Sequence, residues 1–249
     1  MTQINVSISF GINRDNIHNL PSTPNSVQLG VYKYELYEEL KYQIFDHLTQ
    51  TTVQVIHLPI DILRNESNVI LTMMKTLRTM TGCKKFVIHP NKNIKSFLNY
   101  FLKNDPLDLV LCVENFQWKR KKEFRSPLET VEFINFLRQE YESAQDNIRL
   151  CFDTSHAEEV WFDFKIMSYL LPYIDVIHLS NRVGKSQHMP FNIQNGDLNL
   201  VGFVKELISR YKWSGDIVLE YMDQYHHRLN ANAFYLKRLI NERTKTHGA

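Results

Sequence analysis

Eight short, nearly unbroken apolar runs punctuate the chain: 4–11, 27–32, 52–58, 85–90, 108–115, 148–154, 173–181 and 215–222. Each has the length of a strand. A run that is apolar at consecutive positions must bury both its faces, as parallel strands do. Between the runs, apolar residues recur at helical spacing. In 34–48, Tyr34, Tyr37, Leu40, Tyr42, Ile44, Phe45 and Leu48 form one broad stripe. The same periodicity predicts helices over 68–80, 94–102, 128–141, 162–171, 200–211 and 230–240. Ser126-Pro127-Leu128-Glu129 reads as an N-cap, a proline in the first turn and an early acid. The polar stretch between the first two runs, with Pro21 and Pro24, predicts only a short or irregular helix.

Alternating β and α elements predict a parallel sheet. Eight strands in 249 residues suit a closed (β/α)8 TIM barrel, which takes about 250 residues, better than an open sheet. No repeat, low-complexity stretch or long linker divides the chain, so 1–249 is expected to be a single barrel domain.

Composition narrows the class. At 43% hydrophobic and 22% charged residues the chain is globular rather than disordered. No apolar run approaches the ~18 residues of a membrane span. The first residues lack the basic start and apolar core of a secretory signal. Cys83, Cys112 and Cys151 sit in or beside apolar segments, as buried thiols in a reducing compartment do. A cytoplasmic location without a membrane partner is the expectation. The net charge of +2 does not by itself call for nucleic acid.

The polar residues that matter fall at strand ends. Runs three to eight finish at or near His57, His89, Glu114, Asp153, His178 and Glu220, all metal-ligand types. His156 and His188 follow at short range. In a barrel the C-terminal strand ends meet at one mouth. Several carboxylates gathered there need a compensating charge. A divalent cation supplies it, and mixed His/Asp/Glu ligation suits Zn, Mn, Co or Fe. Glu114, Asp153, His178 and Glu220 could enclose one cation; His57 and His89 could hold a second, with Glu114 bridging. His156 and His188 could contribute to a third position or act as acid/base groups.

The motifs CVEN (112–115), FDTSHA (152–157), IHLSN (177–181), NGDLNL (195–200) and IVLEY (217–221), taken in this order, resemble the xylose isomerase-like barrel superfamily. That superfamily contains sugar and sugar-phosphate isomerases and epimerases, and the endonuclease-IV-type abasic-site nucleases. The resemblance implies a divalent metal held by Glu114, Asp153, His178 and Glu220. It implies proton transfer by Glu114 and Glu220, with His156 holding the sugar. The nucleases add ligands for three zinc ions, and His57, His89, His156 and His188 match four of those positions. Ser186 stands where the nuclease pattern has an aspartate, and Ile60 where it has a tyrosine. The resemblance therefore favours a metal-dependent isomerase or epimerase of a sugar or sugar phosphate. A two- or three-metal phosphodiesterase acting on nucleic acid is the alternative.

A basic segment, Trp118-Lys119-Arg120-Lys121-Lys122 with Arg125, follows the fifth run. Together with Arg182 and Lys185 it makes an anionic substrate the expectation, with Trp118 available to stack on a sugar or base. His226 and His227 read as solvated. No GxGxxG or Walker-type loop is present, so no nucleotide cofactor is expected. Cys151 lies between apolar neighbours and is not a nucleophile candidate.

Overall fold

A computed structural model describes residues 3–12, 26–31, 33–48, 51–104, 109–115, 126–142 and 144–246. The polar stretch 13–25 and the basic segment carrying Trp118, Lys119 and Arg120 lie outside the described residues. The strands are β1 (Ile4–Gly11), β2 (Ser26–Gly30), β3 (Val53–His57), β4 (Lys85–Ile88), β5 (Val110–Glu114), β6 (Ile148–Asp153), β7 (Ile174–Leu179), β8 (Asn181–Val183), β9 (Ser186–Met189) and β10 (Gly215–Leu219). The helices are α1 (Tyr34–Leu48), α2 (Ser67–Thr81), α3 (Ile94–Lys103), α4 (Pro127–Glu140), α5 (Ala144–Asn147), α6 (Phe164–Leu170), α7 (Leu200–Ser209) and α8 (Leu229–Thr246). The strand order β1-β10-β7-β6-β5-β4-β3-β2 is that of a closed parallel barrel, so the fold class is the (β/α)8 barrel. All eight apolar runs became barrel strands. β5, β6, β7 and β10 each end in four consecutive buried residues, the two-faced burial that the runs predict.

The chain divides into two compact units. In the unit of residues 10–150, β2 to β5 pair in parallel, with His57 opposite Gly30 and Val87 and with Val87 opposite Cys112. Its core includes Val55, Ile56, Met74, Leu77, Phe86, Phe97, Phe101 and Ile134, all essentially inaccessible. Helix α3 shows why it packs there: Ile94, Phe97, Leu98, Phe101 and Leu102 recur at helical spacing and form its buried face. Helix α2 stops at Gly82, whose φ of 73° is the left-handed C-cap conformation that glycine adopts without penalty. The Ser126 side chain accepts the Glu129 amide and Pro127 opens α4, as the sequence indicates.

In the unit of residues 1–9 and 151–249, β1 pairs with β10 and β10 with β7, so that Val218 lies opposite Ser7 and His178. Phe152, Met167, Ile177, Val204, Ile217 and Leu236 form its core. Two departures from the sequence pattern occur here. The helix expected over 162–171 is broken into a 3-10 turn at Glu159–Phe162, helix α6, and a second 3-10 turn at Leu171–Tyr173. The break has a local cause: the Asp163 carboxylate caps α6 by accepting the amides of Lys165 and Ile166, and Pro172 carries no N–H to continue it. Strands β8 and β9 form an antiparallel hairpin after β7, which no hydrophobic period announces.

Candidate metal centre

Three triads of candidate ligands each lie within a single unit: His57, His89 and Glu114 in one, and Asp153, His156, His188 and Asp153, His178, Glu220 in the other. Within each triad the donor atoms lie within 4.8 Å of one another.

His57 closes β3, Glu114 closes β5, and His89 directly follows β4. His57 and Glu114 are buried, 2% and 1% exposed. The His57 Nδ1–H donates to the Leu58 carbonyl at 2.8 Å. A carbonyl can only accept, so in the neutral ring the proton is on Nδ1 and Nε2 presents a lone pair. That Nε2 lies 3.2 Å from His89 Nε2 and 3.3 Å from Glu114 Oε2, and His89 Nε2 is 3.0 Å from the same oxygen. The two rings meet edge to face, 4.7 Å between centroids. Three electron-pair donors thus converge on one point. Their separations are close to the ~3.4 Å edge of a tetrahedron with bonds of about 2.1 Å. The donor set fits a divalent cation.

The second group is organised by Asp153, the last residue of β6. Its Oδ1 accepts the Ser155 amide at 2.7 Å, the Ser155 hydroxyl at 2.9 Å and the His156 amide at 3.3 Å. This turn explains the D-x-x-H spacing: one carboxylate oxygen folds the loop that carries His156. The other oxygen, Oδ2, stands 3.6 Å from His156 Nε2 and 3.9 Å from Nδ1 of both His178 and His188. His178 Nδ1 is also 2.9 Å from Glu220 Oε2. Asp153 and His178 are fully buried, whereas the side chains of Glu220 and His188 retain 14% and 27% of their exposure. The carboxylates and imidazoles therefore surround two adjacent positions that share Asp153, and one side of each faces outward.

Loop contacts hold these groups. The Thr154 hydroxyl donates to the Ser180 carbonyl at 2.7 Å, and the Thr154 amide to the His178 carbonyl at 3.0 Å, tying the ends of β6 and β7. His188 comes from the β8–β9 hairpin, with Ser180 Oγ 3.4 Å from its Nδ1. Its ring meets that of His156 edge to face at 5.0 Å. Arg182 donates to the Ala157 carbonyl at 2.8 Å and lies 3.7 Å from Asp197, so it braces the loop after His156. Lys185 is exposed in the hairpin turn.

The structure thus brings His57, His89 and Glu114 together in one unit, and Asp153, His156, His178, His188 and Glu220 together in the other. Sequence reasoning missed the residues that hold the loops. Asn181, 1% exposed, accepts the amides of Arg182 and Leu198 and donates to the carbonyls of Phe191 and Leu198. Tyr221, 5% exposed, accepts from the Phe191 amide and from Asn232. Burial pushes its phenol up to about 12, so the hydroxyl keeps its proton at neutral pH. The available signal was position alone: each directly follows or ends a motif, Asn181 in IHLSN and Tyr221 in IVLEY. The three cysteines are buried free thiols, as expected.

No family model matches the sequence, and no curated protein matches it significantly. Solved structures do resemble it. A D-tagatose 3-epimerase-like protein superposes with a TM-score of 0.66 at 13% identity, covering 96% of this chain and 99% of that one. The AsfvAP:AG crystal structure gives 0.62 at 14% identity, with the same coverage of 96% and 99%. A xylose isomerase domain containing protein from Salmonella typhimurium gives 0.55 at 12% identity, covering 97% and 96%. Such likenesses show the fold alone: this chain shares the (β/α)8 barrel fold of these proteins. Among the described residues no helix is long and apolar enough to cross a membrane.

Proposed function

We propose that this chain is a divalent-metal-dependent enzyme that takes more than one cation and hydrolyses a phosphate ester, with a phosphodiester as the substrate class. The observation that carries this reading is Asp153, whose carboxylate belongs to two ligand triads at once. A shared carboxylate flanked by two sets of donors suits a pair of cations, and paired cations serve in-line displacement at phosphorus. Bound there, divalent cations would supply positive charge to the phosphoryl oxygens and make an attacking water more acidic.

The chain's own residues divide the remaining work. His178, fully buried against Glu220 and Asp153, is the rigid member. Glu220, partly open, is placed to accept the proton of an incoming water. His156, on the loop after β6, and His188, in strand β9 of the hairpin, would meet a substrate entering from the more exposed side of His188. Arg182 and Lys185 would attract an anion to that side.

A second reading, an isomerase or epimerase of a sugar or sugar phosphate, is favoured by the triad of Asp153, His178 and Glu220. It offers a one-cation set with a partly exposed carboxylate able to move a proton next to a carbonyl. The likeness to a D-tagatose 3-epimerase-like protein supports it. In that reading Glu220 moves the proton and His156 holds the sugar.

The test combines metal analysis with two assays on protein purified without chelator. The expected result is two or more Zn, Mn, Co or Fe ions per chain, with cleavage of an abasic-site oligonucleotide or a nitrophenyl phosphodiester. Chelation should abolish that cleavage and added cation restore it. One ion per chain, with solvent deuterium entering a ketose or ketose phosphate, would replace this reading by the second. Protein that takes up no cation after reconstitution would overturn both.

A further inference from the structure

His188 reaches Asp153 from a backbone that few residues adopt. Its φ is 53°, in the left-handed region, where a side chain with a Cβ sits only if its surroundings impose the conformation. Those surroundings are specific. The His188 carbonyl accepts the Met222 amide at 2.9 Å. Met189 pairs with Asn181 across the hairpin. Two residues on, the Phe191 amide donates to Tyr221 Oη at 3.2 Å, and the Phe191 carbonyl accepts from Asn181 Nδ2 at the same distance. Asn232, from helix α8, donates to the same Tyr221 oxygen at 3.1 Å, and its own side-chain carbonyl accepts from Asn192 at 3.3 Å. Tyr221, Asn232, Asn181 and Phe191 are all buried. The phenol oxygen is therefore the fixed point between helix α8 and the segment that leaves His188, and it follows Glu220 directly in the chain.

We propose that Tyr221 is a positioning residue for the Asp153–His156–His188 cation site: its buried hydroxyl holds Phe191, and through it the left-handed backbone that aims His188 at Asp153. This rests on the reading of those three residues as ligands. The Tyr221 hydroxyl bonds to Phe191 and Asn232 rather than to a ligand side chain, so its influence passes through the backbone of 188–191. The Asp153–His156–His188 site, with the more exposed histidine and the strained backbone, loads last and exchanges fastest. The His57–His89–Glu114 site, in the other unit, is indifferent to Tyr221.

The experiment is a cobalt(II) titration of chelator-stripped full-length chain, followed by visible absorption. It compares wild type, Tyr221→Phe, Asn232→Ala, His188→Ala and the Tyr221→Phe/His188→Ala double variant. Tyr221→Phe removes the acceptor of both the Phe191 amide and Asn232, and is expected to weaken the last site to fill by about fivefold to tenfold, leaving the earlier sites unchanged. Asn232→Ala, which loosens the phenol without removing it, should weaken the same site by about twofold to threefold. In the His188→Ala background, Tyr221→Phe should cause no further loss, because the coupling runs through His188. Rescue by a merely stable fold is separated out, since a general packing role would lower affinity equally with or without His188. That result, or unchanged affinity in both Tyr221→Phe and Asn232→Ala beside a clear loss in His188→Ala, overturns the positioning role alone. Wild type that binds no cobalt, or His188→Ala that binds as wild type does, overturns the ligand reading and this inference with it.

Discussion

Replacing Asp153 by asparagine perturbs the centre at its shared point, because Asp153 belongs both to the triad with His156 and His188 and to the triad with His178 and Glu220. Asparagine keeps a carbonyl oxygen for the Ser155 and His156 amides, so the turn after β6 survives. What changes is the second oxygen, 3.6 to 3.9 Å from three imidazole nitrogens, which becomes an uncharged donor. Loss of an anionic ligand common to two positions should weaken cation binding by about a hundredfold. At about 1.4 kcal/mol per factor of ten, the stabilisation by excess cation then falls by about 2.7 kcal/mol. For a chain of this size each kcal/mol moves the unfolding midpoint by about 2–4 °C, so the cation-induced rise should shrink by about 5–11 °C. Without cation the sign reverses. A buried amide costs less than a buried carboxylate. The chelated variant should therefore unfold at or above the temperature of chelated wild type. Thermal unfolding with zinc and with chelator reads all four states. An equal cation-induced rise in the two proteins would refute Asp153 as a ligand. A chelated variant far below chelated wild type, with the rise intact, would leave Asp153 only a turn-forming role.

Two further outcomes follow from named contacts. A Cβ at Gly196 would meet the Asn181 side-chain amide. Gly196→Ala should therefore push Asn181 off its partners at Phe191 and Leu198 and cost about 1–3 kcal/mol in urea unfolding, against near-neutrality if the loop simply yields. Burial raises the Tyr221 phenol from its ordinary 10.0 to about 12. A raised folded-state value contributes stability that is complete below pH 10 and is lost as pH climbs through about 12. Over that window the loss amounts to about 2–3 kcal/mol from this group. Urea unfolding at pH 9 to 12 should accordingly show a shallower alkaline decline in Tyr221→Phe. Part of the decline should remain, because Tyr34, Tyr37 and Tyr211 are raised by burial as well. Identical slopes in the two proteins would refute the buried-phenol account.

The barrel strands, most of the helices and the candidate ligand residues were legible in the sequence because each is written in local spacing. Four buried positions in a row mark β6 and β7, a three-and-four repeat marks α3, and Ser126 with Pro127 marks the start of α4. His57, Glu114 and Asp153 stand at the ends of apolar runs, which placed them at strand termini before any coordinates. How the ligands group was not legible. Glu114 meets His57 from 57 positions away, and Asp153 serves both His178 and His188 through one oxygen. Such contacts depend on side-chain direction and on the register between strands, neither of which leaves a periodic trace. The hairpin that delivers His188 is short and polar, so no hydrophobic period announces it. The left-handed backbone at His188 is imposed by partners distant in the chain, Met222 by its amide and Tyr221 by its hydroxyl. Sequence by itself determined which residues could bind a cation, since chemistry is carried by residue type. Only the tertiary structure decided which of them lie close enough to share one, since that is set by distances across the chain.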